Sequence, residues 1–204
     1  MRRVSRGPAV LMCAALIGCG GKGGDGGGGP VVPPPPPTLT FKCSDSPQQP
    51  DQVVLRCGVR LTEDVWQIDV MIGAHPTSDI GGFAFDVLID PMIMKYVPGS
   101  AVSGSMLFQD GEVPLLSVDT APGDPGRLVV GIYRTGGAPG IAVVPGTFDR
   151  IMAFKVQALP GAQFDPDPSH LRFDKTRSEA LDSSIQHQPI PSITFSDQIL
   201  LSNQ

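Results

Sequence analysis

Aromatic residues and histidines are scarce in this chain of 204 residues, which contains one tryptophan, two tyrosines and three histidines. The sequence places no nucleophile beside a base and gathers no cluster of metal ligands. It therefore predicts a protein that is not an enzyme and that needs no metal or other cofactor. Basic residues are also few. Removing the first 18 residues, with three arginines and no acid, would leave a net charge near −8. This acidity argues against nucleic acid as a partner.

A sustained helical period is also missing, apart from one turn near residues 177–182. Apolar residues instead alternate with others in short runs, which Gly/Pro-rich turns separate. The run at residues 81–89 is the clearest, and Asp90-Pro91 ends it because proline has no N–H for a sheet ladder. The sequence predicts an all-β chain with a single β-sandwich or jelly roll of eight or nine strands. The predicted strands are residues 38–43, 52–61, 65–73, 81–89, 112–118, 127–134, 147–158, 170–173 and 192–201.

The first 18 residues have the layout of an export signal. Three arginines precede an apolar run at residues 9–17, which is too short to span a bilayer as a stable helix of about 20 residues. The run ends in Leu-Ile-Gly-Cys, which resembles the lipobox of bacterial lipoproteins, so Cys19 is the predicted lipidation site. The alternative is an ordinary secretory signal that ends near a cysteine. By this resemblance, the predicted location is the outer membrane or cell surface, with the domain outside the cytoplasm.

Residues 20–37 are predicted to form a disordered tether. Glycine dominates the first part and proline the second, and such a segment buries too little apolar surface to offset the entropy lost on folding. The proline run could be a ligand for a proline-reading module, although a spacer is the preferred interpretation. The predicted domain boundaries are residues 1–18 for the signal peptide, 19–37 for the lipidated cysteine and tether, and 38–204 for the folded domain.

Two cysteines, Cys43 and Cys57, remain in the predicted folded domain. They lie on two predicted flanking strands, and pairing them in antiparallel register places Phe41 opposite Val59 on an apolar face. This register and an oxidising compartment favour a disulfide bond between Cys43 and Cys57. The alternatives are two free buried thiols or a metal pair, although two cysteines without helper histidines make a poor zinc site.

The strand at residues 81–89, together with the Asp-Pro that follows, resembles the early strands of a cohesin-like domain. Residues 126–131, 145–154 and 193–197 resemble later cohesin strands in the same order. The resemblance implies a cohesin-like sandwich, of the wider carbohydrate-binding type, with a sheet face that binds protein or glycan. The chain departs from the family in its cysteine hairpin. It also contains no dockerin repeat and no calcium loop of the EF-hand type, so the resemblance does not imply dockerin binding.

Residues for ligand binding are harder to assign, because a sugar platform needs exposed aromatic rings. Trp66 shares its strand face with three aliphatic residues, which favours core packing over a platform. Tyr133, which lies near a glycine-rich loop, its neighbour Arg134 and Tyr96 are the remaining candidates for ligand binding.

The histidines and the acidic turns are weaker candidates. His75, His170 and His187 all fall in predicted turns or loops, and they could converge as a triad, but solvated loop histidines are the commoner case. Asp165 and Asp167 could bind calcium. The preferred interpretation is a turn in which the aspartates cap local N–H groups.

The sequence therefore predicts a monomeric, lipid-anchored, non-catalytic module that binds a protein partner at the cell envelope. This hypothesis predicts exposed apolar residues such as Leu88, Met71 or Val129 on a sheet face. The alternative is a carbohydrate-binding module that acts in extracellular polysaccharide binding or catabolism. That alternative predicts two or more solvent-facing rings in a line.

Overall fold

A computed structural model describes residues 49–108, 111–135, 139–163, 170–197 and 199 of the chain. These ranges hold nine β-strands and no α-helix, and so none of them supplies a helix that could cross a membrane. The expectation of an all-β fold with eight or nine strands is confirmed. The strands are β1 (Gln52–Arg60), β2 (Val65–Ile89), β3 (Met94–Tyr96), β4 (Val102–Ser103), β5 (Leu115–Thr120), β6 (Arg127–Tyr133), β7 (Ile141–Ala158), β8 (Leu171–Asp182) and β9 (Thr194–Ser196).

The long strand β2 belongs to both layers of the sandwich. Its first half pairs with β1 and β7, and its second half pairs with β6 and β8. One layer therefore has the order β3–β7–β2–β1–β9, with β4 also on β7, and the other has the order β5–β6–β2–β8. The sequence predicted two separate strands here. They form one strand although Pro76 interrupts the sequence. Proline has no N–H to donate, but Pro76 lies between His75 and Ile80, where β2 does not pair with β7, so no hydrogen bond of the ladder is lost.

Three buried phenylalanine rings join the two layers. Phe85 of β2 and Phe173 of β8 lie in one layer, and Phe195 of β9 lies in the other. The ring centroids of Phe85 and Phe173 are 6.0 and 5.1 Å from that of Phe195. Aromatic pairs at such distances contribute about 0.5–1.5 kcal/mol beyond the burial of their area. The alternating run that contains Phe85 thus supplies the core, as its pattern predicted.

Strand β8 is longer than the sequence predicted. It continues to Asp182, through residues 177–182, where the sequence has one turn of helical period. Ala180 pairs with Phe83 of β2 and is buried beside it, and this ladder outweighs the weak helical period. Strand β7 likewise starts at Ile141, ahead of the predicted start at residue 147, because Ile141 and Val143 pair with the bend of β2.

Cys57 lies on β1 opposite Ile68 of β2. Its predicted partner Cys43 lies outside the described residues, as do the predicted lipidation site Cys19 and the tether, so these stay predictions. Val59, which the predicted register placed on an apolar face, is exposed.

Gly104 follows β4 at a close approach between two backbone segments. Its N–H donates to the carbonyl oxygen of Ile151, and an added Cβ would come within 1.8 Å of the carbonyl oxygen of Arg150. We therefore expect Gly104→Ala to lower the free energy of unfolding by about 1–3 kcal/mol, because the β7 backbone must move. Chemical denaturation measures this loss. Gly131→Ala is the matched control, since its added Cβ would meet nothing within 4 Å, and equal losses in the two variants would contradict the prediction.

A disulfide between Cys43 and Cys57 should stabilise the domain by restricting the unfolded chain. We expect Cys57→Ala and Cys43→Ala each to lower the free energy of unfolding by about 3 kcal/mol in the chain-entropy model. A reductant should have a similar effect on the wild-type protein and little further effect on either variant. Peptide mapping without reduction checks the pairing directly, and two free thiols at these positions would contradict it.

Candidate functional site

The β5–β6–β2–β8 layer presents alternate side chains on the side away from the core, because successive residues of a strand point to opposite faces. We call this side the outer face. The pairing registers of β5 with β6, β6 with β2 and β2 with β8 set its rows. From β5 to β8, three successive rows are Leu115–Tyr133–Gly82–Leu181, Ser117–Gly131–Ala84–Glu179 and Asp119–Val129–Asp86–Asp174.

Exposed apolar residues surround a flat centre on the outer face. Leu115 is 49% exposed and Val129 is 42% exposed. Between them, the middle row carries the small residues Ser117, Gly131 and Ala84, and the space above Gly131 is open; exposed Glu179 ends this row on β8. The two exposed apolar side chains lie two rows apart on neighbouring strands. Of the residues expected to be exposed on a sheet face, Val129 is exposed as predicted, whereas Leu88 and Met71 are half-buried.

A buried carboxylate lies in the third row. Asp86 is 6% exposed, and its Oδ2 lies 3.8 Å from Nε of Arg127. Burial raises the pKa of Asp86, while the charges of Arg127 and Arg177 oppose the rise. The contact with Arg127 is longer than a hydrogen bond. A partner that supplies an N–H or O–H donor here would therefore improve the hydrogen bonding of this carboxylate.

The edge of the outer face carries an irregular segment of β8. The pairing of β8 with β2 shifts register between Asp174 and Glu179, and the intervening residues 175–177 are exposed. Asp174 accepts hydrogen bonds from the N–H and the Oγ1 of Thr176, which lowers the pKa of Asp174. Within this segment Arg177 lies beside Asp174, with Nε 3.7 Å from its Oδ2, whereas Lys175 forms an ion pair with Asp197.

Tyr133 is the one predicted ligand-binding residue that lies on the outer face. It is half-buried in the first row, and its ring centroid is 6.1 Å from that of His187. Arg134, the residue directly after β6, is buried. Its Nη1 donates a hydrogen bond to the carbonyl oxygen of Pro139. Its Nη2 lies 3.5 Å from Oε2 of Glu112. Arg134 is thus engaged within the fold and does not lie open to a ligand.

Tyr96 is also buried, although the sequence suggested it as a ligand-binding residue. It lies on β3, and its ring centroid is 6.4 Å from that of Phe154 in the core. The expectation for Tyr96 is corrected, because a ring in this position cannot stack on a ligand from solvent. Its sequence neighbours gave no sign of this, since β3 is too short to show an alternating pattern.

The aromatic rings do not favour a sugar platform. Trp66 is half-buried and packs against the core, with the guanidinium of Arg60 at 5.9 Å from its ring, so core packing is the better description. Among the described aromatic residues, Phe108 and Phe148 are the exposed ones. They belong to different segments, after β4 and on β7, and no tryptophan or tyrosine in the described ranges is fully open to solvent.

The three histidines contact different aspartate residues. His75 was expected in a solvated loop, but it is buried within β2 and contacts two carboxylates. Nδ1 of His170 lies 3.0 Å from Oδ2 of Asp90, and His187 is exposed. No group of histidine, cysteine or carboxylate side chains suited to a metal ion occurs in the described part of the chain. Asp165 and Asp167, the suggested calcium ligands, lie outside that part.

The comparison with solved structures identifies the fold. No protein-family model matches the sequence, and no curated protein matches it significantly. The sixth cohesin of scaffoldin B from Acetivibrio cellulolyticus, solved in complex with a mutant Cel5 dockerin, matches with a TM-score of 0.53 and 14% identity. That match covers 74% of this chain and 96% of the cohesin. Type II cohesin A11 from Bacteroides cellulosolvens also gives a TM-score of 0.53, with 8% identity over 75% of this chain and 99% of its own.

A type II cohesin domain from the cellulosome of Acetivibrio cellulolyticus is a further match. Its TM-score is 0.52 at 12% identity, and the match covers 74% of this chain and 94% of that domain. The three matched structures are each covered almost completely. The chain therefore has a cohesin-like β-sandwich fold.

Proposed function

We propose that this chain is a lipid-anchored module of the cell envelope that binds a protein partner through the outer face and catalyses no reaction. The proposal rests on the side chains of the outer face. This face combines exposed Leu115 and Val129 with a flat centre and with the buried carboxylate of Asp86. A protein partner could cover the apolar residues and exclude water around them, which is how the central residues of an interface contribute most of its binding energy.

Charges on the outer face favour a partner with a defined orientation. Acidic Asp119, Asp86 and Asp174 lie in one row, and the basic residues Arg127 and Arg177 lie beside it. Such mixed charges contribute more to specificity and to the rate of association than to affinity. Arg127 and Asp86 are not within hydrogen-bond distance of each other. A donor group on the partner would therefore gain most by forming its hydrogen bond with the carboxylate of Asp86.

A protein is favoured over a glycan as the partner. One of the similar solved structures is a cohesin in complex with a dockerin, which makes the fold suitable for protein binding. A glycan module would instead need aligned exposed rings, and the described part of this chain has its tryptophan and both tyrosines at least partly buried. The partner of this chain is therefore proposed as a protein.

Membrane attachment in this proposal rests on Cys19 and the lipobox-like residues before it. The mature chain would be acidic, so electrostatic attraction to anionic lipids would not assist it. The acyl chains would then supply the whole attachment, and the tether at residues 19–37 would let the domain reach a partner beyond the membrane surface.

The outer face can be tested with two matched lysine variants. Envelope proteins captured by the intact purified protein would first be identified, and the affinity of the identified partner would then be measured. Val129→Lys should weaken binding at least tenfold, about 1.4 kcal/mol, because a charge replaces an apolar contact at a buried interface. Val144→Lys on β7 is the control, since Val144 is also exposed, at 64%, but lies off the outer face. A loss confined to Val144→Lys would contradict the proposal, as would saturable binding to a glycan array without a protein partner.

Anchoring can be tested separately from binding. The wild-type chain should partition with the membrane fraction, and Cys19→Ala should release the exported protein into the soluble fraction. Metabolic labelling with a fatty acid should mark the wild type and not the variant. Cys57→Ala serves as a control for the loss of any one cysteine. Continued membrane association of Cys19→Ala without label would show that attachment does not depend on this residue.

A further inference from the structure

A buried histidine lies where β2 passes from one layer of the sandwich to the other. His75 is 3% exposed. Its Nδ1 lies 2.6 Å from Oδ1 of Asp51, and its Nε2 lies 2.7 Å from Oδ1 of Asp79. We call these three side chains the His75 bridge. It lies outside the outer face, and it does not depend on the proposed function.

The His75 bridge has the geometry of a protonated imidazole. An ionised carboxylate only accepts hydrogen bonds, so at each of the two contacts the ring nitrogen must donate the N–H. Neutral imidazole has one N–H and could satisfy one of them, whereas the imidazolium cation has two and satisfies both. Hydrogen bonds between charged partners are shorter and stronger than neutral ones, in agreement with the two short distances at His75.

The two aspartates also connect the layers through their backbones. The N–H of Asp51 donates to the carbonyl oxygen of Ala74, and the carbonyl oxygen of Asp51 accepts from the N–H of Thr194 at the start of β9. The carbonyl oxygen of Asp79 accepts from the N–H of Ser183, just after β8. The His75 bridge thus joins segments next to β1 and β9 in one layer to a segment next to β8 in the other.

Asp51 adopts an uncommon backbone conformation that its side chain helps to hold. Its φ is 55°, in the left-handed region that few residues other than glycine occupy. Aspartate tolerates this region better than most residues, because its short side chain can bond locally. Here the side chain bonds to His75 instead, so loss of that bond would remove one restraint on the turn that leads into β1.

We propose that the His75 bridge is a pH-sensitive switch that holds the junction of the two layers while His75 carries a proton and loosens it when that proton is lost. Asp51, before β1, and Asp79, on β2 itself, are the charged groups that face the ring. The position opposite on β7 is Val143, and the neighbouring backbone donors belong to the neutral residues Ser183 and Thr194.

The balance of forces on the ring sets the direction of the effect. Burial disfavours the charged ring, but the hydrogen bonds and charges of Asp51 and Asp79 outweigh it, and the pKa of His75 is raised. A raised pKa in the folded state means that stabilisation is complete below the unfolded value of about 6.5 and is lost as pH rises through the folded value. Each unit of increase corresponds to a tenfold change in the folding equilibrium constant.

The titration of the histidine rings tests the switch directly. NMR of the ring nitrogens across pH should show His75 losing its proton above the value of about 6.5 that an unperturbed histidine has. Asp79→Asn should lower the titration midpoint of His75, because the amide replaces a charged acceptor. A His75 midpoint at or below about 6.5, or one that Asp79→Asn does not move, would overturn the proposal.

Loosening of the junction needs its own measurement. The unfolding equilibrium constants of His75→Gln and wild type should differ most at low pH. As pH rises through the wild-type midpoint of His75, the ratio of the two constants should fall tenfold for each unit by which that midpoint exceeds the unfolded value. If His75→Gln does not fold, the same comparison is made with Asp79→Asn. If the unfolding equilibrium constants of the wild type and the variant differ by the same factor at every pH, the His75 bridge is a structural contact and not a switch.

Discussion

The continuity of β2 is the constraint on which the rest of the structure depends. A single strand of 25 residues supplies partners to β1, β7, β6 and β8. Because one backbone runs through both layers, the bend between Gly73 and Ile80 sets how the layers face each other. The buried rings of Phe85 and Phe195 can meet only if that bend holds its geometry. Stability of the core and position of the outer face therefore depend on the same few residues.

The same strand also links the core to the candidate binding surface. In the second half of β2, residues alternate between the buried Phe83 and Phe85 on one side and Ala84 and Asp86 on the other. Small residues in the middle of the outer face keep it flat, and the neighbouring strands place exposed apolar residues around them. A sheet built in this way needs no cleft to bind a protein, since its contact area comes from a surface that the core already holds rigid.

Much of this fold could be predicted from the sequence, because alternation and turn residues report local structure. The pattern at residues 81–89 predicted a strand with Phe83 and Phe85 in the core, and the structure agrees. Long-range effects were not predictable in this way. The burial of Tyr96 depends on pairing with β7, and the charged partners of His75 include Asp51, 24 residues away. Neither contact leaves a periodic signal in the chain.

Binding through the outer face is most directly tested by methyl NMR of the protein with its identified partner. The methyl signals of Leu115, Val129 and Leu88 should shift or broaden when the partner is added, because these side chains would become covered. Signals of Val144 and Val59, which are exposed elsewhere on the sandwich, should stay unchanged. Changes confined to Val144 and Val59, with the outer face unaffected, would contradict the assignment of this surface as the binding site.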